Sequence, residues 1–199
     1  MYLLSKFQSF LLKGNERTVL AKKNIIASLG LKCISILISL QVVPLTIGYI
    51  DTVKYGIWLT LSSIISWLSF FDLGFAHGFR NRFAEAKAKG DMQTAKEYLS
   101  TTYAVLSILF TLIFIGITVA NHYIHWSEIL IIDRQYNAEL HTVFGLLACF
   151  FCLNIVGSVF TTMLMADQKP AMASLIQTGG QVLAFITIYV LTKTTAGNL

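Results

Sequence analysis

The amino-acid sequence predicts an all-α, polytopic membrane protein of about five transmembrane helices, and three observations carry that prediction. Of the 199 residues, 55% are hydrophobic and 13% charged, against roughly 25% charged in ordinary water-soluble domains. Five apolar runs are long enough to cross a bilayer as helices. The basic residues fall almost entirely on alternate sides of those runs. A soluble helical domain this apolar would need a core larger than a chain of this length can enclose.

The runs lie near residues 24–50, 55–71, 98–120, 140–166 and 170–192. Asn24–Ile50 carries one charge, Lys32, and continues for 18 residues beyond it. Tyr55–Phe71 has 17 residues, Tyr98–Ala120 23, Leu140–Ala166 27 and Pro170–Thr192 23, all without Asp, Glu, Lys or Arg. About 20 helical residues, rising about 1.5 Å each, cover a hydrocarbon layer of about 30 Å. The second run is therefore at the short end, with Asp72 where it must leave lipid. All five outlast the roughly 9–11 residues of a membrane strand, and none alternates with period two. Residues 1–23 form a separate cytoplasmic or interfacial lead, in which Phe7, Phe10, Leu11 and Leu12 beside Lys6, Lys13 and Arg17 suit a short interfacial helix. No small-x-small cleavage site closes the first run, so residues 24–199 read as one transmembrane domain with every span retained.

With the N-terminus inside, eleven Lys and Arg residues fall in inner segments and three, Lys54, Arg134 and Lys193, in outer ones. That bias predicts a cytoplasmic N-terminus and, after five crossings, an external Leu199. The net charge of +5 is then a topological signal. No aromatic and basic surface for nucleic acid accompanies it, and the partner it implies is the lipid bilayer.

The inner segment 72–97 has its own pattern. Phe75, Phe79 and Phe83 recur every four residues and Ala86 extends them, which predicts an amphipathic helix along the inner interface. Arg80, Glu85, Lys87 and Lys89 occupy much of its other face, and Glu85 to Lys89 is the favourable order for an ion pair one turn apart. Asp72 reads as a charged stop able to pair with Arg80 or Arg82. Gly90 ends the helix and Asp91 caps the next.

Tyr55-Gly56-Ile57-Trp58, Phe71-Asp72-Leu73-Gly74-Phe75, Gly78-Phe79-Arg80-Asn81-Arg82, Ala84-Glu85-Ala86 and Lys89-Gly90-Asp91 together resemble the early region of bacterial polysaccharide-unit (O-antigen) flippases, relatives of the multidrug and lipid-linked oligosaccharide exporters. The resemblance covers the first helix pair and the inner loop best. It implies an inner-membrane transporter, not an enzyme, that moves an undecaprenyl-pyrophosphate-linked sugar unit between leaflets. It also implies two helical bundles around a cationic cavity, with twelve to fourteen spans in the family. Five spans make an incomplete first bundle, so the chain reads as the N-terminal piece of a longer protein or as one completed by a partner chain. A membrane scaffold or assembly subunit, and another cation-coupled exporter of the same superfamily, are the alternatives. An integral-membrane enzyme would need an acidic pair or nucleophile near one interface, and the sequence has none.

Within the spans Lys32, Asn154 and Gln181 are the candidate substrate-binding residues. Lys32 lies about 12 Å along the helix from Asn24, where a charge is costly unless it faces a water-filled cavity, snorkels to the inner headgroups or pairs with a carboxylate. In a cavity it would attract the pyrophosphate of a lipid-linked sugar. Asn154 and Gln181 also suit hydrogen bonds between helices. Pro44 cannot donate to Leu40 and predicts a bend near Gln41–Pro44, which makes Gln41, Pro44, Gly74 and Gly78 candidates for gating or for shaping the packing. Asp72, Arg80, Arg82, Glu85, Lys87 and Lys89 are assigned to the inner interface and to topology. Cys33, Cys149 and Cys152 sit in apolar runs and read as small packing residues. His77, His122, His125 and His141 lack ligand spacing, and no catalytic, metal or cofactor motif is present.

Overall fold

Each long uncharged run is helical in the computed structural model, which describes residues 15–50, 52–71, 73–132 and 136–194. In chain order the elements are α1 (Glu16–Ile50), α2 (Thr52–Ser66) continued by a 3₁₀ segment (Trp67–Phe71), α3 (Leu73–Ala88), α4 (Met92–Tyr123), the single-turn α5 (Trp126–Ile129), α6 (Asn137–Ala166) and α7 (Pro170–Thr194). No strand occurs among the described residues. Ala21–Ile50 of α1 and the whole of α4, α6 and α7 are long and apolar enough to cross a membrane. None of the most apolar stretch of α1 is buried, and the largest buried share, in α6, is 28%. Apolar side chains thus cover the outside of these helices, which lipid solvates and water does not.

Helix ends follow the local chemistry. Gly90, at φ +78°, takes the left-handed position after α3, and the Asp91 amide donates to the Ala86 carbonyl at 3.0 Å. Asp91 then caps α4, accepting from the Thr94 amide at 3.0 Å and from its hydroxyl at 2.7 Å. Those bonds, the backbone one first, hold its carboxyl below the ordinary aspartate range. After α6 the left-handed position falls to Gln168, with the Lys169 amide donating to Leu164 at 2.9 Å. Pro170 opens α7, where its missing N–H costs nothing. Helix α1 continues through Pro44 to Ile50.

The short second run gains length by a different device. Its last five residues wind as 3₁₀ helix, which rises about 2.0 Å per residue, so α2 and this segment together measure about 32 Å. The axis then bends by 46° into α3. Asp72, the expected stop at this bend, lies outside the described residues, as does the aromatic lead containing Phe7 and Phe10.

The chain divides into two compact units, one running from Thr52 to Met163, the other holding α1 with the chain from Leu164 onward. In the first, α3 packs along α4 and buries Phe79, Phe83 and Ala86, with the two phenylalanine rings 5.5 Å apart. Phe75, expected in the same stripe, is exposed, so the packed face starts one turn later than the spacing implies. Glu85 and Lys89 form the expected ion pair at 2.7 Å. Leu61 and Ile65 of α2, Trp126 of α5, and Leu140, Phe144 and Ala148 of α6 form one core cluster of this unit.

In the second unit α1 packs against α7. Among the half-buried residues of α1, Asn24, Ser28, Leu31, Ser35, Ile38, Val42, Leu45 and Tyr49 alternate steps of four and three, the seven-residue repeat of one helix lying along another. Helix α7 buries Ala173, Ser174 and Thr178. Among the described residues, Asn24 donates to the Gln168 carbonyl in the turn before α7, Thr178 to the Leu31 carbonyl, and Ser35 to Gln181. Their positions climb together along both segments, so α1 and α7 run parallel.

Candidate functional site

Among the apolar residues of α1, five polar ones, Asn24, Ser28, Lys32, Ser35 and Ser39, recur at steps of four, four, three and four. On a helix such spacing places them on one side. Asn24, Ser28 and Ser35 are half-buried while Lys32 and Ser39 are exposed. Helix α7 adds a matching set, with Ser174 and Thr178 buried and Gln177 and Gln181 exposed.

Hydrogen bonds fix most of this set and leave the cation outward. Asn24 Nδ2 donates to the Gln168 carbonyl at 3.2 Å, the Thr178 hydroxyl to the Leu31 carbonyl at 3.4 Å, and the Ser35 hydroxyl to Gln181 Oε1. Ser28 satisfies itself on the Ile25 carbonyl of its own helix at 2.9 Å. Lys32 has no hydrogen-bond or ion-pair partner among the described residues and lies exposed one turn from Ser35.

Depth sharpens the arrangement. The midpoint of Ala21–Ile50 falls between Ser35 and Ile36, and that of α7 at Val182. The Ser35–Gln181 bond therefore joins the two helices at the middle of both apolar stretches. Lys32 is about 5 Å from the same level. The interhelical bond is expected to contribute about 0.6 kcal/mol, the usual size within membranes. A double-mutant cycle with Ser35→Ala and Gln181→Leu, read by unfolding in detergent, measures it; zero coupling would show that the contact does not hold the pair.

The other sequence-predicted residues lie apart from this stripe. Gln41 and Pro44 are exposed farther along α1. Asn154 belongs to the other unit, exposed on α6 about 4 Å from the midpoint of that helix. Gly74 and Gly78 are exposed on α3, and a Cβ at either would meet nothing within 4 Å, so neither is required for a close approach. Arg80 and Arg82 are exposed on the same helix. Cys33 is exposed, Cys149 half-buried and Cys152 buried, all as free thiols. Among the described residues no three His, Cys, Asp or Glu side chains gather in a way that would hold a metal ion.

One polar cluster has no signature in the sequence. Between α4 and α6 the Trp126 indole donates to Asn121 Oδ1 at 2.6 Å, and Asn121 Nδ2 donates to the His141 carbonyl at 3.0 Å. Asn137 Oδ1 accepts from the Ser127 amide at 3.2 Å, and its amide nitrogen lies 3.2 Å from His141 Nε2. Trp126 also packs its ring on Phe144, 4.4 Å between centroids. This cluster latches the connection between two long helices. Farther along the same pair a cleft of about 210 Å³, lined by Ser107, Thr111, Cys149 and Cys152 among others, carries no charged group. No known protein family, curated protein or solved structure matches the chain.

Proposed function

We propose that the chain crosses the inner membrane five times and forms part of a transporter that passes a pyrophosphate-linked polyprenyl oligosaccharide between leaflets. The observation that carries this reading is Lys32, exposed about 5 Å from the middle of the apolar stretch of α1, on a parallel helix pair beside a fixed row of hydroxyls and amides. An ionisable residue at that depth is expensive in hydrocarbon and ordinarily faces a water-filled path or a partner. A cation flanked by hydroxyls and carboxamides suits a pyrophosphate attached to sugars, with charge contacts holding the phosphates whatever sugar follows. The resemblance of residues 55–91 to polysaccharide-unit flippases points the same way.

The parallel pairing of α1 and α7 supports the fifth crossing. Successive spans traverse in opposite senses, so if α4, α6 and α7 all cross, α7 shares its direction with α4. Because α7 is also parallel to α1, the chain must return to its starting side between Ile50 and Met92. Residues 52–71, about 32 Å long, supply that return. The distribution of basic residues then sets the N-terminus in the cytoplasm. Asn154, exposed at mid-depth on α6, is a further candidate contact for the sugar unit.

The test is a leaflet-accessibility assay. Vesicles containing the transporter of which the chain forms part should expose a fluorescent lipid-linked oligosaccharide on the opposite leaflet faster than protein-free vesicles. A rate equal to that of protein-free vesicles would remove the transport reading.

A further inference from the structure

We infer that the segment Trp126–Ile132 is a wedge seated in the outer lipid interface, with Ile129 and Ile131 projecting into the acyl-chain boundary. The inference rests on the reading of α4 and α6 as membrane spans. Three helices among the described residues end with a left-handed residue and a bond from the next amide back across the turn: α3 at Gly90, α6 at Gln168 and α5 at Ile131. Glycine is the ordinary choice at such a position. The carbonyl of Gln168 receives the Asn24 side chain. Ile131 is a β-branched residue at φ 56°, for which this conformation is strained, and its side chain is 93% exposed. Strain held at a site, with no packing among the described residues to offset it, calls for an interaction outside them.

Two anchors fix the depth of the wedge. Trp126 is hydrogen-bonded to Asn121, in the last turn of α4, and the Ser127 amide to Asn137, the first residue of α6. A segment tied to both span ends cannot rise far into water. The uncharged run Tyr98–Ala120, about 34 Å long, ends at the same level, and Tyr123, 74% exposed, stands where aromatic residues border the headgroups. Helix α4 carries an exposed apolar stripe, Ile108, Leu112, Ile115 and Val119, up to this level, and Ile129 and Ile131 are exposed just beyond its end. An apolar stripe that ends at the level of the pair selects lipid as the occupant. A single turn with an isoleucine pair behaves like the apolar edge of an interfacial helix.

Site-directed fluorescence tests this in phospholipid vesicles. With Cys33, Cys149 and Cys152 replaced by alanine, an environment-sensitive dye is attached in turn at Ile115→Cys, Ile131→Cys and Glu128→Cys, and quenched by spin-labelled lipid or by aqueous iodide. Dye at position 131 is expected to be quenched at least twofold more by shallow spin-labelled lipid than dye at 128, and to resist iodide. If dye at 115 is quenched by lipid but dye at 131 is open to iodide, or shielded from both quenchers, the wedge is overturned while the spans stand. Lack of lipid quenching at 115 would overturn the spanning helices and the wedge with them. A photoreactive benzophenone residue at 131, in the chain with its cysteines intact, gives a second reading: adducts to lipid support the wedge, and adducts only to protein overturn it.

Discussion

Replacing Trp126 by alanine is expected to destabilise the unit formed by residues 52–163 by about 3–5 kcal/mol, the usual cost of emptying a buried tryptophan site. The side chain is 3% exposed and stands between α2, α4 and α6, in one core with Leu61, Ile65, Leu140, Phe144 and Ala148. Its removal opens a cavity and also strands Asn121 Oδ1, which accepts the indole N–H at 2.6 Å. Trp126→Phe separates the two effects. It keeps an aromatic ring against Phe144 but loses the donor and part of the ring volume, and stranding the acceptor alone is expected to cost about 1–3 kcal/mol. Thermal unfolding in detergent distinguishes the pair: a large fall for Trp126→Ala, a smaller one for Trp126→Phe. Equal midpoints for Trp126→Ala and the unmodified protein would mean that the latch does not hold this unit together.

That latch marks the boundary of what could be read from the residues in order. Helix existence was legible because the runs are long and their charges are segregated, and both follow from the cost of polar groups in lipid. Gly90 and Asp91 were legible because left-handed backbone and an orphan amide each call for a specific residue type. Trp126 was not: it sits in a short connection whose neighbours Ser127 and Glu128 suggest solvent, and its burial depends on Leu61, Ile65, Leu140 and Phe144, which only the fold brings near. Phe75 shows the converse, since its spacing matches Phe79 and Phe83 and yet it is exposed. Periodicity reports a face but not how far along the helix a neighbour extends. Lys32 stood out in the sequence as a lone charge. Its serine and glutamine companions did not, because small polar residues at steps of three and four are inconspicuous in an apolar run until a second helix lies beside them.

The same companions give Lys32→Ala two opposite expected effects. On the proposed transport function, transfer of a lipid-linked sugar should fall about 10- to 100-fold, corresponding to the loss of charge-assisted contacts of about 1.5–3 kcal/mol at tenfold per 1.4 kcal/mol. Insertion and folding should hold or improve, because a lysine near the middle of a span costs about 2.5–3.5 kcal/mol on insertion and alanine removes that cost. Lys32→Arg should keep most of the transfer, since it retains the charge and offers more donors to phosphate. The measurement is leaflet transfer normalised to membrane-inserted protein. Transfer unchanged in Lys32→Ala would exclude the residue from the mechanism. A parallel fall in transfer and in inserted protein would make Lys32 a structural residue, paired or snorkelled in the assembled membrane. Only the split, with insertion retained and transfer lost, fits an ammonium kept at mid-depth to meet a phosphate, because no packing role gains stability when its side chain is removed.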